Sequence, residues 1–198
     1  MKLYMSPTSP FARLARVVVM EKGLEDRIEM VPVNPWDSTP EFVRVNPVSK
    51  VPALVTDEGV ALTESLLVVQ YLERSFPEPV LMPPDDVDAV YHKLGLGHGI
   101  ADQAVAIIAT GKMAGEQGVP KALVERRTEG LNRTLAALEV GLAGRAARPD
   151  IGDLAVAVGL EYLDFRFPDM NWAGRFPSLK GWYAELRERP SLARTRPG

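Results

Sequence analysis

Four prolines within eight residues, Pro77, Pro79, Pro83 and Pro84, divide this chain into two parts with different hydrophobic rhythms. None can sit inside a helix without losing a hydrogen bond and clashing with the preceding turn, so the stretch reads as a stiff connector. Before it, residues 1–78 alternate strand and helix signals; from residue 85 onward the periodicity is almost entirely helical. The expected organisation is an α/β domain over 1–78 followed by an all-α domain over 85–198. A chain of 198 residues, 46% of them hydrophobic, is long enough for two small cores.

In the first part, Lys2 to Met5 reads as a strand, Pro10 to Lys22 as a helix stopped by Gly23, and Ile28 to Val33 as a second strand. The loop Asn34 to Pro40 leads to a helical turn at Glu41 to Val45. A strand from Ala53 to Thr56, a turn at Asp57-Glu58-Gly59, a strand ending near Leu62 and a helix from Glu64 to Phe76 complete a βαβ-α-ββα order. Beyond the prolines, Asp85-Asp86 starts a long helix to about Ala114, and Pro120 starts another to about Leu142. Asp150 and Asp153 fall at the N-cap and N3 positions of an apolar helix, a capping box built from two aspartates, and that helix is expected to be central. The last helix, Ser178 to Arg189, precedes an arginine-rich tail read as solvated.

The formal net charge of −3 gives no general attraction for nucleic acid. No segment approaches the roughly 20 apolar residues of a membrane span, and the start has no signal-peptide core, so a cytoplasmic protein is expected. Cysteine is absent, which removes disulfides, thiolate metal sites and any dithiol chemistry of the protein's own. The two histidines, His92 and His98, lack the i, i+4 spacing of helical zinc motifs, and no metal is expected.

Two segments point to a ligand. Lys50-Val51-Pro52-Ala53-Leu54 places a proline where a strand begins, so it cannot donate to the ladder; a cis peptide is one role for it. Thr63-Glu64-Ser65 then puts an acid and a hydroxyl at a helix start. Backbone amides and the positive end of the helix dipole suit a carboxylate, Ser65 adds a donor, and Glu64 can pair with an ammonium. Together they suit a small peptide-like zwitterion.

With Ser6-Pro7-Thr8-Ser9-Pro10-Phe11-Ala12-Arg13, Asn46-Pro47, Lys50 to Leu54 and Glu64-Ser65 in this order and spacing, the first part resembles the thioredoxin-like half of a glutathione S-transferase of the serine type. The helical remainder, with its capping box, is similar to the family's second domain, so the resemblance covers essentially the whole chain. It implies a thioredoxin-like βαβ-α-ββα domain followed by a helical bundle, and glutathione as co-substrate. By that resemblance Val51 pairs its backbone with the cysteinyl unit, Ser65 takes the γ-glutamyl carboxylate, Glu64 meets the ammonium and Lys50 the other carboxylate. Ser9 occupies the position from which the family donates a hydrogen bond to the thiol. A thiol of pKa about 8.5 is mostly protonated at neutral pH, and a hydroxyl donor beside a helix dipole favours the thiolate. The implied activity is conjugation of glutathione to a small electrophilic substrate by a homodimer with no nucleic-acid or membrane partner.

Each residue also has a plainer role. Ser9 can be an N-cap alone, Tyr4 is a rival donor or a core residue, and Ser6 and Thr8 are further donors. Glu64 and Ser65 can be simple helix-start residues. Gly95, Gly97 and Gly99 follow no strand and suit close helix packing; His98 and Asp102, one turn apart, suit a packed or solvated face. Trp36 either covers the ligand or packs on the sheet. A glutathione-dependent isomerase and a non-catalytic interaction or stress protein are the alternatives in function, whereas a reductase would need a protein cysteine.

Overall fold

The computed structural model describes residues 1–141 and 148–197, so the expected helix end near Leu142 lies outside the described residues. Two compact units are formed, Met1–Asp86 together with the segment from Pro190, and Val87–Arg189. The first unit runs β1 (Lys2–Met5), α1 (Pro10–Glu21), β2 (Glu29–Pro32), α2 (Pro40–Val45), β3 (Ala53–Val55), β4 (Ala61–Thr63) and α3 (Ser65–Ser75). Its mixed sheet has the order β2-β1-β3-β4, with β1 parallel to β2 and antiparallel to β3, and β3 antiparallel to β4. Leu3, Leu54, Ala12, Val17, Val18, Val68 and Leu72 are wholly buried between the sheet and α1 and α3; each large apolar side chain there stabilises by about 1.5–3 kcal/mol. Helix α1 stops where the sequence places Gly23. That residue has φ +62°, its N–H bonds the Met20 carbonyl, and the Leu24 N–H bonds the Val19 carbonyl, closing the last turn.

The proline stretch is fastened to the first unit. Lys22, its ammonium fully enclosed, donates to the carbonyls of Phe76 (2.7 Å) and Pro79 (2.9 Å) and pairs with Glu73 at 2.6 Å. The other oxygen of Glu73 accepts from the amides of Leu81 and Met82, each at 3.0 Å. The first compact unit therefore runs through the proline stretch to Asp86. Glu78-Pro79 is a cis peptide.

The second unit holds α4 (Val87–Ala114), α5 (Lys121–Gly141), α6 (Ile151–Arg166), α7 (Trp172–Arg175) and α8 (Pro177–Leu186). Every residue of α6 from Ile151 to Leu163 is buried, as expected of a helix apolar all round. Its close crossing with α4 needs glycine: a Cβ on Gly97 would lie 2.5 Å from the Ala155 carbonyl carbon, and one on Gly152 would lie 2.6 Å from the Val90 oxygen. Both halves of the aspartate capping box are present, Asp153 N–H to Asp150 Oδ1 and Asp150 N–H to Asp153 Oδ2, each at 3.0 Å. Lys93 of α4, itself buried, inserts its ammonium between these carboxylates, 2.9 Å from Asp153 and in contact with Asp150. Burial pushes the Asp153 carboxyl up; the Lys93 hydrogen bond opposes this and the Asp150 charge adds to it.

The tail's Arg194 and Arg196 are exposed, as expected of the arginine cluster, but the segment that carries them is packed. Helix α9 (Pro190–Ala193) packs on α1, with Ser191, Leu192 and Thr195 buried. Arg194 is exposed and pairs with Glu25 at 2.7 Å.

Candidate functional site

Strand register gathers the predicted residues at one end of the sheet. Tyr4, near the end of β1, is opposite Ala53 at the start of β3, and Ala53 is opposite Thr63 at the end of β4. The backbone continues from these positions to Ser9, back to Val51-Pro52, and on to Glu64-Ser65. The N-termini of α1 and α3 therefore open at this same end, each carrying about half a positive charge from its helix dipole.

Ser9 is the N-cap of α1, with extended φ −82° and ψ 121°, and its Oγ accepts the Ala12 amide at 3.2 Å. Capping uses an oxygen lone pair and leaves the hydroxyl hydrogen to donate elsewhere, so the two roles weighed for Ser9 are compatible. The side chain is half-buried. Tyr4, the rival donor, stacks its ring on Phe42 at 5.8 Å between centroids, beside Met5, Val51 and Ala53, as a core residue does.

Val51 joins Pro52 by a cis peptide. Its side chain is buried against Met5 and Ala12, which brings its backbone to the start of α1. Among the described residues, the Val51 N–H and C=O enter no backbone hydrogen bond. An extended ligand can pair with them as an added strand. Asn46, which spacing alone did not single out, sets this segment: its buried amide donates to the Lys50 carbonyl at 2.7 Å and accepts the Val48 N–H at 3.1 Å. The Asn46-Pro47 pair was its signal. Lys50 itself is exposed.

Glu64 has φ +67° and ψ 126°, outside the left-handed helical region, at a strain of about 1–3 kcal/mol for a residue with a side chain. Its side chain makes no cap hydrogen bond and is exposed, so capping α3 is not its role here. Ser65 follows as the first residue of α3, 2% exposed, and its Oγ has no hydrogen-bond partner. A buried hydroxyl without a partner is costly, and at a helix N-terminus it is a donor suited to an anion.

Trp36 is 48% exposed in a loop whose Asn34 bonds Asp37 at 2.7 Å. Asp102 pairs with Arg127 of α5 at 3.1 Å. Gly97 serves packing, while a Cβ on Gly95 or Gly99 would meet nothing within 4 Å. Among the described residues no group of three or more His, Cys, Asp or Glu side chains is arranged to hold a metal, and no helix is long and apolar enough to cross a membrane.

The sheet order, the connection order and a cis-proline at the start of β3 define a thioredoxin-like fold, here joined to a helical unit. The family models "Glutathione S-transferase, N-terminal domain" and "Glutathione S-transferase, C-terminal domain" match residues 8–75 and 121–185, and the chain belongs to the glutathione S-transferase family. It is 32% identical over its whole length to the uncharacterised GST-like protein YibF of Escherichia coli K12, covering 98% of that protein. A zeta-class glutathione S-transferase of Euphorbia esula is 33% identical over 77% of this chain and 68% of its own. A glutathione transferase family member from Pseudomonas fluorescens Pf-5, solved with bound glutathione, superposes with a TM-score of 0.93 at 30% identity, covering 100% of this chain and 98% of that one.

Proposed function

We propose that this protein is a glutathione transferase that binds glutathione at the sheet end of its first unit and conjugates it to a small electrophile. The observation that carries the reading is Ser65: a buried hydroxyl with no partner, at the N-terminus of α3, beside an exposed acid. In this reading Ser65 and the first amides of α3 take the γ-glutamyl carboxylate and Glu64 faces the ammonium. The unbonded Val51 backbone pairs with the cysteinyl unit, and Lys50 meets the remaining carboxylate. The thiol then lies at the start of α1, where Ser9 donates to it and the helix dipole adds to the stabilisation of thiolate. Thiolate attacks an electrophilic carbon, forming the carbon–sulfur bond as the leaving group departs or the acceptor double bond takes up the electron pair and a proton. The 85–198 part selects the electrophile, and the working form is a cytoplasmic homodimer.

The test is retention on immobilised glutathione, together with kinetics on a chloronitroaromatic electrophile. A micromolar site at millimolar glutathione adds about 4 kcal/mol to stability. Ser9→Ala should lower kcat by about 10²–10³-fold, the loss seen when one positioned donor is removed. Absence of binding and of thermal stabilisation would overturn the enzyme reading; an unchanged kcat in Ser9→Ala would move the donor role to Tyr4, Thr8 or a backbone amide.

A further inference from the structure

Arg13 lies one helical turn beyond Ser9 and is 1% exposed, a cation enclosed within the packing of α1. Its own amide donates to the Ser9 carbonyl at 2.9 Å. Its guanidinium reaches the α9 segment, Nε donating to Thr195 Oγ1 at 3.2 Å and Nη2 to the Leu192 carbonyl at 3.0 Å. The Thr195 hydroxyl donates in turn to the Ser191 carbonyl at 2.7 Å, which leaves an oxygen lone pair turned to Arg13. Further along α1, Ser191 Oγ bonds the Glu21 carboxylate, so the segment grips the helix at both ends.

The two ends of a helix are its least secured parts, because fewer intrahelical hydrogen bonds hold them than hold its middle. In α1 the N-terminal end carries the half-buried Ser9, whose hydroxyl has to be held within about 0.5 Å to serve a reacting atom. We infer that Arg13 and Thr195 are positioning residues for thiol activation, the α9 segment holding the first turn of α1 so that the Ser9 hydroxyl stays aimed at the ligand sulfur. This rests on the glutathione transferase reading above. Neither residue touches the ligand in this scheme; both act through the backbone of α1.

The experiment uses the full chain with Thr195→Val, which keeps the shape of the side chain and removes the hydroxyl, Thr195→Ser, which restores it, and Arg194→Ala, which breaks only the exposed pair with Glu25. The measurements are kcat and KM for glutathione, the ultraviolet absorbance of bound thiolate at pH 7, and the denaturation midpoint. Thr195→Val should lose about tenfold in kcat, within the range that a misplacement below 1 Å produces. Its bound thiolate should fall while KM stays within about twofold. Thr195→Ser should recover both, and Arg194→Ala should match the wild type. Wild-type protein without bound thiolate overturns the transferase reading and this inference together. Bound thiolate in the wild type with Thr195→Val unchanged overturns the inference alone, and so does a kcat loss that Arg194→Ala reproduces or that Thr195→Ser does not repair.

Discussion

Replacing Ser65 by alanine should move two free energies in opposite directions. In the free protein its Oγ is buried without a partner, a condition that costs about 1–3 kcal/mol. Alanine removes that cost and leaves a void of one oxygen atom, so the free variant should keep its stability or gain up to about 1 kcal/mol, a rise of about 2–4 °C in Tm for a chain of this size. With a carboxylate in place, the same hydroxyl donates a charge-assisted hydrogen bond worth about 1.5–3 kcal/mol. Its loss should raise the Kd for glutathione about 10- to 100-fold. Thermal melts with and without millimolar glutathione, paired with titration calorimetry, read both effects on one sample. A free variant that melts several degrees lower yet binds glutathione like the wild type would refute the reasoning. Ser65 would then belong to the internal structure of α3, and the anion site would lie elsewhere.

Three further substitutions probe the helical unit. Gly97→Ala should destabilise by about 2–3 kcal/mol because its Cβ would meet the backbone of α6, whereas Gly99→Ala, with open space around it, should stabilise by about 0.5–1 kcal/mol; denaturant midpoints that move alike would contradict the close crossing. Lys93→Met should cost about 3–5 kcal/mol at pH 7, since it leaves two buried carboxylates without their ammonium. Asp153 is already raised, by burial first, and loss of Lys93 raises it further. A carboxyl raised on folding gives its full stability below its unfolded pKa of about 4 and loses it as pH climbs through the folded value. The deficit of Lys93→Met should therefore be largest at pH 7 and shrink towards pH 4; a deficit that is constant over that range would show that the three groups do not interact as charges.

The order of elements and the aspartate capping box were legible because each follows from local chemistry, a proline, a helix cap or a turn, whereas the grouping of Ser9, Val51 and Ser65 was read from the family resemblance. Long-range partners were not. Lys93 carries a faint mark, since Val90, Leu94 and Gly97 lie three, one and four residues from it on the same face, yet nothing in that spacing names Asp150 as its partner. Lys22 looks like a solvated charge at a helix end and is instead a buried clip. Arg13 was visible only as one letter of a motif, and its acceptors lie 179 and 182 residues away. Glu64 holds a backbone angle that usually belongs to glycine, and no rule of propensity assigns it to an acid.

The clip formed by Lys22 and Glu73 bears on how this architecture can be recombined. A chimera that swapped the helical half at Pro77 would take away the Pro79 carbonyl and the Leu81 and Met82 amides. Lys22 would keep Glu73 and the Phe76 carbonyl but lose one acceptor, and Glu73 would lose both of its amide donors. Cutting between Asp86 and Val87 keeps the clip whole, but the segment from Pro190 must then stay with the parent that supplies α1. The exchangeable cassette is an internal one, bounded by two junctions, and family members would recombine most cleanly as inserts into a host that keeps both of its own ends.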